Sequence, residues 1–218
     1  MARDVQDHYF RQAKREGYRA RAAYKLTEID DRRKILRKGD RVLDCGAAPG
    51  AWLQVAARRV GPKGVVVGID LTPIKGNFRE TNIHTIEGDL TTIDANDLLN
   101  PTGSDKPFDV VLSDMAPKTT GDRAIDHHQS VRLCHAVLDR CGELLRPGGR
   151  LVMKVFEGEA YRDLLDRTGQ LFEHVKGFSP KASRHESTEI YIIATGFQPS
   201  RPEGSSPTPD ADTADPPH

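Results

Sequence analysis

Short hydrophobic runs alternate with longer stretches of helical periodicity along most of the chain. Several runs are continuous Val, Ile and Leu without polar alternation, which is typical of parallel strands covered on both faces. These runs predict strands at 41–45, 64–70, 82–88, 108–114, 150–156 and 189–197. Helical periodicity occurs at 51–60, 127–145 and 159–170. Strands separated by helices predict an α/β fold with a doubly wound, mostly parallel sheet.

The longest predicted helix has recognisable signals at both ends. Asp126 is expected to cap its N-terminus, and Pro147-Gly148-Gly149 is expected to end it. Before Gly39 the sequence predicts one or two further helices, packed outside the sheet.

The composition divides the 218 residues into three parts. We place one substantial domain at 39–197, because this length of chain suffices for a single large core. Residues 1–38 are expected to form a basic N-terminal helical extension. Residues 198–218 hold 6 of the chain's 14 prolines and no aliphatic residue larger than alanine, so they predict a disordered, acidic, proline-rich tail.

The formal net charge of zero conceals an uneven distribution. Residues 1–41 carry 13 Lys and Arg against 7 Asp and Glu, whereas residues 198–218 carry one Arg against four acids. A basic segment is the electrostatic footprint expected of a protein that binds a polyanion. A solvated helical face is the alternative interpretation of the same charges.

The chain has no apolar run of 18 or more residues and no signal-peptide pattern at its start. We therefore expect a cytoplasmic protein that does not associate with membranes, and we expect it to be a monomer. Its three cysteines are not at metal-ligand spacing, so neither a metal site nor a disulfide is predicted.

The first predicted strand runs into a glycine-rich turn at 44–50, with the sequence DCGAAPG, and a helix follows. Ligands of open parallel sheets bind beyond the carboxyl ends of the strands, where glycine lets the backbone approach closely. The spacing D-x-G-x-x-P-G differs from the dinucleotide pattern G-x-G-x-x-G, which disfavours a nicotinamide cofactor. Asp44 suits the ammonium group of an amino acid, such as the methionine part of S-adenosylmethionine.

Two further strand ends carry acidic residues. Asp70 lies about 20 residues past the glycines, where a carboxylate accepts both hydroxyls of an adenosine ribose. Asp89 closes the third strand, where a side chain can contact the adenine amino group. One such acid alone could cap a turn, but three at successive strand ends favour a nucleoside cofactor. The expected cofactor-binding residues are Asp44, Gly46, Pro49, Gly50, Trp52, Asp70, Leu71, Asp89, Leu90 and Asp114.

Four other charged residues call for a common explanation: Lys25, Asp114, Lys154 and Glu189. Asp114 ends the fourth strand, Lys154 lies inside the apolar strand 150–156, and Glu189 opens the last strand. A lysine among Val, Met and Phe is costly to bury as a cation, so it must be paired or neutral. A neutral lysine can act as a general base. An edge-strand lysine whose amine reaches water is the alternative.

Motifs spread from about residue 7 to residue 197 closely resemble the FtsJ-type ribosomal RNA 2′-O-methyltransferases. They are RARAAYKLTEI at 19–29, DCGAAPGAW at 44–52, SDMAPKTTG at 113–121, KVFEG at 154–158 and KASRHESTEIY at 181–191. The resemblance implies a Rossmann-like class I methyltransferase fold with a reversed last strand and S-adenosylmethionine as cofactor. It also implies that Lys25, Asp114, Lys154 and Glu189 form the catalytic set. Tyr24 departs from the family's usual Phe or Trp, and the acidic tail has no counterpart in its short members.

The same resemblance implies 2′-O-methylation of a ribose, in a uridine of large-subunit (23S-type) ribosomal RNA. Lys154 would then accept the hydroxyl proton, Lys25 would stabilise negative charge on the oxygen, and the two carboxylates would orient the lysines. Phosphate contacts are expected from basic residues of the extension and of one later loop. These residues are Arg19, Arg21, Arg32, Arg33, Lys34 and Arg184.

Other substrates and a non-catalytic role are alternatives. Base N-methylation usually requires an Asn/Asp-Pro-Pro-aromatic loop, which residues 114–117 do not match, and C5 methylation of cytosine requires a cysteine nucleophile that is absent there. A protein or small-molecule acceptor is compatible with the fold alone. Another RNA such as tRNA, or a non-catalytic RNA-binding role in ribosome assembly, completes the alternatives.

Overall fold

A seven-stranded sheet organises the part of the chain described by this computed structural model, residues 11–180 and 189–199. The strands are β1 (Arg41–Cys45), β2 (Val65–Asp70), β3 (Ile83–Glu87), β4 (Phe108–Ser113), β5 (Leu145–Phe156), β6 (Phe172–Phe178) and β7 (Glu189–Phe197). Their order in the sheet is β3-β2-β1-β4-β5-β7-β6. β1 to β5 pair in parallel, and β7 runs antiparallel to both of its neighbours. The predicted α/β sheet with a reversed last strand is confirmed.

Helices cover both faces of the sheet. They are α1 (Ala23–Arg33), α2 (Ala51–Val60), α3 (Ala95–Leu99), α4 (Arg123–Leu144) and α5 (Tyr161–Leu171), with a 3₁₀ turn at Asn100–Thr102 and helical residues at 11–16. One core cluster joins the sheet to α4 and α5, and the other joins it to α1 and α2. Val42 and Leu43 of β1 belong to opposite clusters. Successive side chains of a strand alternate between faces, so two buried faces require an unbroken apolar run.

The N-terminal extension shares this core. Leu26 and Ile29 of α1 are fully buried in the same cluster as α2. The indole N–H of Trp52 in α2 donates to the main-chain carbonyl of Ala22 (2.9 Å). The extension therefore lies outside the sheet, as predicted, and is held there by apolar contacts as well as by hydrogen bonds.

Both predicted end signals of the long helix are wrong. Asp122 caps α4, because its carboxylate accepts from the main-chain N–H groups of Ala124 and Ile125. Asp126 lies in the first turn and accepts instead from the main chain and hydroxyl of Thr120. The helix ends at Leu144, and the Pro-Gly-Gly segment at 147–149 lies within β5, where the β4–β5 register shifts.

β6 is a strand that hydrophobic patterning missed. Its sequence FEHVKGF is buried only at Phe172 and Phe178, because it forms the edge of the sheet beside β7. Gln198, the first residue of the predicted disordered tail, donates its main-chain N–H to the carbonyl of Leu171 (2.8 Å), so the ordered chain extends beyond the predicted boundary, and residues 200–218 lie outside the described residues. So does most of the KASRHESTEIY motif, residues 181–188.

Candidate active site

A cavity of about 650 Å³ opens at the carboxyl ends of the parallel strands. This volume falls within the range of roughly 300–1,000 Å³ that small-molecule ligand sites occupy. The residues lining it come from the ends of β1, β2, β3 and β4 and from one face of α4. They are Gly46, Ala48, Ile69, Asp70, Leu71, Gly88, Asp89, Leu90, Thr91, Asp114, Met115, Ala116, Arg132, Leu133 and Ala136.

The turn after β1 depends on glycine for its shape. Gly46 has a φ of +75°, a conformation that L side chains rarely adopt, and its N–H donates to the carbonyl of Ile69 in β2 (2.9 Å). A Cβ on Gly46 would lie 2.5 Å from Cγ of Met115. Glycine is therefore required by the protein's own packing at this point, and not only by the approach of a ligand.

Asp44 is fully buried in β1, and neither of its carboxylate oxygens has a hydrogen-bond partner among the described residues. Burial raises the pKa of Asp44 well above its usual value, and the nearby carboxylates of Asp114 and Asp70 raise it further. The carboxylate lies directly before the glycine turn that lines the cavity. A cationic ligand bound there would supply the partner that the carboxylate lacks.

Asp70 and Asp89 line the cavity and also hold the turns around it. Asp70 accepts from the main-chain N–H groups of Ala48 (2.9 Å) and Thr72 (2.7 Å), so it joins the turn after β1 to the turn after β2. Asp89 accepts from both the N–H and the hydroxyl of Thr91, and these bonds lower the pKa of Asp89. Two charged acceptors are thereby fixed at adjacent strand ends.

Four of the predicted cofactor contacts are not among the residues that line the cavity: Asp44, described above, and Pro49, Gly50 and Trp52. The carbonyl of Pro49 accepts from Arg19 (3.1 Å), and a Cβ on Gly50 would lie 2.7 Å from the ring of Phe78. The indole of Trp52 packs against α1 and β7 behind the turn. Pro49, Gly50 and Trp52 support the glycine turn from outside, and their contact with the cofactor stays a prediction.

The structure brings the four predicted catalytic residues together in two lysine–carboxylate pairs. Lys154 of β5 is buried, and its Nζ lies 3.0 Å from Oδ1 and 2.7 Å from the main-chain oxygen of Asp114. Lys25 of α1 lies 2.5 Å from Oε2 of Glu189 at the start of β7. The β5–β7 register explains the proximity of the two pairs, because Lys154 lies opposite Tyr191 and Phe156 lies opposite Glu189. The alternative of a lysine that reaches water is therefore wrong.

Tyr191 connects the two pairs and was missed by sequence reasoning. Its hydroxyl donates to Oδ1 of Asp114 (2.8 Å), and Nζ of Lys25 lies 6.0 Å from its ring centroid. Burial raises the pKa of Tyr191, as do the neighbouring carboxylates, so the hydroxyl stays protonated and remains a donor. On the other side, its ring packs against Trp52 with centroids 5.7 Å apart.

The α4 wall of the cavity was also missed. Leu133 and Ala136 give it an apolar surface, and Arg132 is the cation among the described lining residues. In the sequence these three positions resemble any amphipathic helix face, and only the fold shows that part of this face borders a cavity.

The predicted RNA-binding residues have different environments. Arg32 and Arg33 are exposed at the end of α1, with their guanidinium carbons 5.7 and 5.8 Å from the ring centroid of Phe178. Lys34 follows them, exposed and in a left-handed conformation, and Arg21 is half-buried. Arg184 lies outside the described residues.

Arg19 does not fit the predicted phosphate-binding role. Its guanidinium donates to the carbonyls of residues 49, 75, 76 and 77 and lies 3.8 Å from the ring centroid of Phe78. Since its NH1 and NH2 groups are already bonded to main-chain oxygens, we remove Arg19 from the set of phosphate ligands.

Residues 11–180 and 189–199 contain neither a candidate metal centre nor a candidate membrane-spanning helix. No group of three or more His, Cys, Asp or Glu side chains is placed to hold a metal ion. None of the helices there is long and apolar enough to cross a membrane.

Comparison with known proteins assigns the chain to a family. A family model described as FtsJ-like methyltransferase matches residues 18–197. The chain is 48% identical over 193 residues to the ribosomal RNA large subunit methyltransferase E of Syntrophobacter fumaroxidans, covering 88% of this chain and 96% of the relative. It is 44% identical to the protein of the same name from Halorubrum lacusprofundi, over 88% of this chain and 71% of the relative.

Solved structures agree on the fold. A Plasmodium falciparum protein described as a ribosomal RNA methyltransferase superposes with a TM-score of 0.72 at 28% identity, covering 83% of this chain and 98% of that one. Aeropyrum pernix fibrillarin, solved with natively bound S-adenosylmethionine, has a TM-score of 0.56 at 20% identity over 80% of this chain and 73% of its own, a likeness in fold alone. With its sheet order, its glycine turn and its paired lysines, the chain belongs to the FtsJ-like methyltransferase family.

Proposed function

We propose that this protein transfers the methyl group of S-adenosylmethionine to the 2′-hydroxyl of a ribose in large-subunit ribosomal RNA. The observation that carries the proposal is the pair of lysine–carboxylate contacts, Lys154–Asp114 and Lys25–Glu189, which are joined through Tyr191. Asp114 also lines the cavity, so the two pairs lie next to the expected cofactor site. The names of the relatives support the choice of ribosomal RNA. We further propose a uridine as the target, a cytoplasmic location and a monomeric enzyme.

The cavity fits S-adenosylmethionine on grounds internal to the structure. The buried, unpartnered carboxylate of Asp44 suits the ligand's ammonium group, because a cation there would compensate an otherwise isolated charge. Asp70 would accept the ribose hydroxyls, and Asp89 would meet the adenine amino group. Leu90, Met115 and Leu133 supply apolar surface for the base. When bound, this cofactor supplies a methyl group activated by the positive charge on its sulfur.

The chain's own residues must position the ribose oxygen and take its proton. A neutral lysine amine has two hydrogens and one lone pair. A general base must be neutral, and in that form the two hydrogens of Lys154 would have acceptors on Asp114, the main-chain oxygen and Oδ1. The lone pair is then left for the 2′-hydroxyl. As the O–CH₃ bond forms and the methyl–sulfur bond breaks, the hydroxyl proton passes to Nζ of Lys154.

Lys25 and Glu189 form the second lysine–carboxylate pair of the proposed site. The ammonium group of Lys25 stabilises negative charge that develops on the ribose oxygen, and Glu189 holds that ammonium in place. Tyr191 holds Oδ1 of Asp114, which in turn fixes the position of Lys154. These contacts fix the four side chains relative to one another, as expected of a preorganised site.

The experiment measures S-adenosylmethionine binding and methyl transfer to large-subunit ribosomal RNA separately. Lys154→Ala should bind the cofactor with unchanged affinity by calorimetry, while single-turnover transfer falls by about 10²–10⁴-fold, the usual contribution of a positioned base. Lys176→Ala is the matched control, because Lys176 is a strand lysine of β6 at the sheet edge and outside the cavity lining. Near-normal transfer by Lys154→Ala would show that Lys154 is a structural residue.

A second arm tests the acceptor. The methylated nucleotide is first mapped by mass spectrometry, and an RNA with a single 2′-deoxy substitution at that position is then assayed. This RNA should bind normally, because phosphates dominate affinity, yet remain unmethylated there. Methylation of the deoxy nucleotide would identify the base as the acceptor and refute the proposed function.

A further inference from the structure

The side chain of Arg19 makes an unusual number of main-chain contacts near the cofactor cavity. NH1 donates to the carbonyls of Pro49 (3.1 Å) and Lys75 (2.6 Å). NH2 donates to the carbonyls of Gly76 (2.9 Å) and Asn77 (3.1 Å). Four main-chain oxygens from two separate turns therefore converge on one guanidinium.

Both segments that Arg19 joins follow strands whose ends contribute residues to the cavity lining. Pro49 follows Ala48, which lines the cavity after β1. The segment 75–77 belongs to the irregular stretch that follows Leu71, which lines the cavity after β2. Main-chain carbonyls outside regular structure need donors, and the planar fork of an arginine can serve several of them at once.

Packing and the main chain fix Arg19 itself. Its guanidinium carbon stacks 3.8 Å from the ring centroid of Phe78. Its N–H donates to the side-chain oxygen of Gln54 in α2 (2.8 Å), and the amide of Gln54 donates in turn to the carbonyl of Gly17 (2.9 Å). The extension is thereby anchored on both sides of Arg19, so the guanidinium is held at a defined distance from both turns.

We propose that Arg19 is a positioning residue for the cofactor, which sets the spacing between the turns after β1 and β2. The basic extension then has two separable roles. Arg19 shapes the cofactor cavity from outside, whereas the role of meeting RNA belongs to Arg32 and Arg33, which are exposed at the end of α1 beside Phe178 and Glu28. This inference rests on the proposed use of S-adenosylmethionine but not on the identity of the methyl acceptor.

The test uses the full-length protein and measures S-adenosylmethionine binding by calorimetry in the absence of RNA. Arg19→Ala and Arg19→Lys should both weaken cofactor binding, on the order of 10-fold, because the cavity is no longer preorganised. Lysine should not rescue, since a single ammonium cannot reproduce four directed bonds. RNA affinity, measured by filter binding, should change by less than about twofold in both variants, because a residue without a phosphate contact leaves the counterion-release contribution unaltered.

Arg32→Ala is the matched control, because Arg32 belongs to the same extension and lies outside the cavity. This variant should show the opposite pattern, with weaker RNA binding and unchanged cofactor affinity. Phe78→Leu removes the stacking surface and leaves Arg19 in place, so it should weaken cofactor binding by an intermediate factor. It also keeps the test available if Arg19→Ala does not fold.

Steady-state kinetics provide a further measurement. The Arg19 variants should raise KM for the cofactor with little change in kcat. A purely structural role would lower thermal stability and leave both KM and calorimetric affinity unchanged, which would overturn the proposal. Loss of RNA binding in Arg19→Ala that Arg19→Lys restores would also overturn it and identify a phosphate ligand.

Discussion

Replacing Asp44 by asparagine should stabilise the ligand-free protein and at the same time impair cofactor binding. Asp44 is fully buried, and both its oxygens are unpartnered among the residues the structure describes. The substitution keeps the size of the side chain and removes the charge that burial disfavours. A group that serves ligand binding can be unfavourable for the stability of the protein without its ligand. Asp44→Asn should therefore raise the Tm of the protein without ligand and lower its affinity for the cofactor.

The magnitude follows from the charge alone, because asparagine would leave its own amide equally unpartnered in the same place. A buried unsatisfied charge costs on the order of 1 kcal/mol more than a neutral polar group. In a protein of this size each kcal/mol shifts Tm by roughly 2–4 °C, so Asp44→Asn should raise Tm by roughly 2–4 °C. For wild type, S-adenosylmethionine at 100 times its Kd adds about 2.7 kcal/mol of stability. Asp44→Asn should show only a small part of that increment at the same ligand concentration.

The stability difference between wild type and Asp44→Asn should depend on pH in a defined direction. Because the pKa of Asp44 is raised in the fold, the native state binds more protons than the unfolded chain between about pH 3.9 and the raised value. The contribution of Asp44 to stability is therefore present below that window and is lost as pH rises through it. The Tm advantage of Asp44→Asn should accordingly be larger at pH 8 than at pH 5.

Asp40 provides the matched control. It is also buried, at the amino end of β1, but its carboxylate accepts from Arg150 (3.0 Å) and from the N–H of Arg37 (2.6 Å). Asp40→Asn should lower Tm, because breaking a buried pair leaves Arg150 uncompensated. Scanning calorimetry of both variants with and without ligand decides the matter. Equal Tm and an equal ligand-induced shift in wild type and Asp44→Asn would refute the assignment of Asp44 to the ammonium site.

Two other predictions concern the cofactor and the RNA. Asp70→Ala should weaken S-adenosylmethionine binding by roughly 10- to 100-fold, because a charged acceptor is lost. Calorimetry measures this, with Asp105→Ala, at an exposed acid outside the cavity lining, as the control. Unchanged affinity in Asp70→Ala would remove Asp70 from the site. The double substitution of Arg32 and Arg33 by alanine should reduce the slope of log K against log salt by roughly 1.5–2, as expected for two lost phosphate contacts. Lys63→Ala, at the opposite end of the sheet, is its control, and an unaltered slope in the double variant would mean that these arginines only solvate α1.

Sequence patterns predicted six of the seven strands, including β3 at one edge of the sheet, and missed β6 at the other edge. β1, β2 and β4 are covered on both faces, which demands continuous apolar runs that are visible without a structure. β6 has one neighbouring strand and alternates polar residues, so its hydrophobic signal is weak. The cap of α4 was misplaced because Asp122 and Asp126 are both plausible caps one turn apart.

The site was predictable where its chemistry is tied to strand ends. Asp44, Asp70 and Asp114 follow from the position of parallel strands, because ligands gather at their carboxyl edge. The contacts of Arg19 and Trp52 could not be predicted from strand ends. The sequence shows that one side chain is charged and the other aromatic, but it does not show which main-chain carbonyls they will contact. Tyr191 was missed because its role depends on the β5–β7 register, a pairing between residues far apart in the chain.

The placement of β7 between β5 and β6 has a consequence for biosynthesis. β6 is made before β7 yet pairs only with it in the described sheet, so the edge of β5 stays open until the last strand arrives. Lys25 and Glu189 are 164 positions apart, and their contact forms only at that moment. A chain that ends before β7 cannot form the Lys25–Glu189 contact or place Tyr191 beside Asp114, so it should lack methyl transfer even if its first five strands assemble.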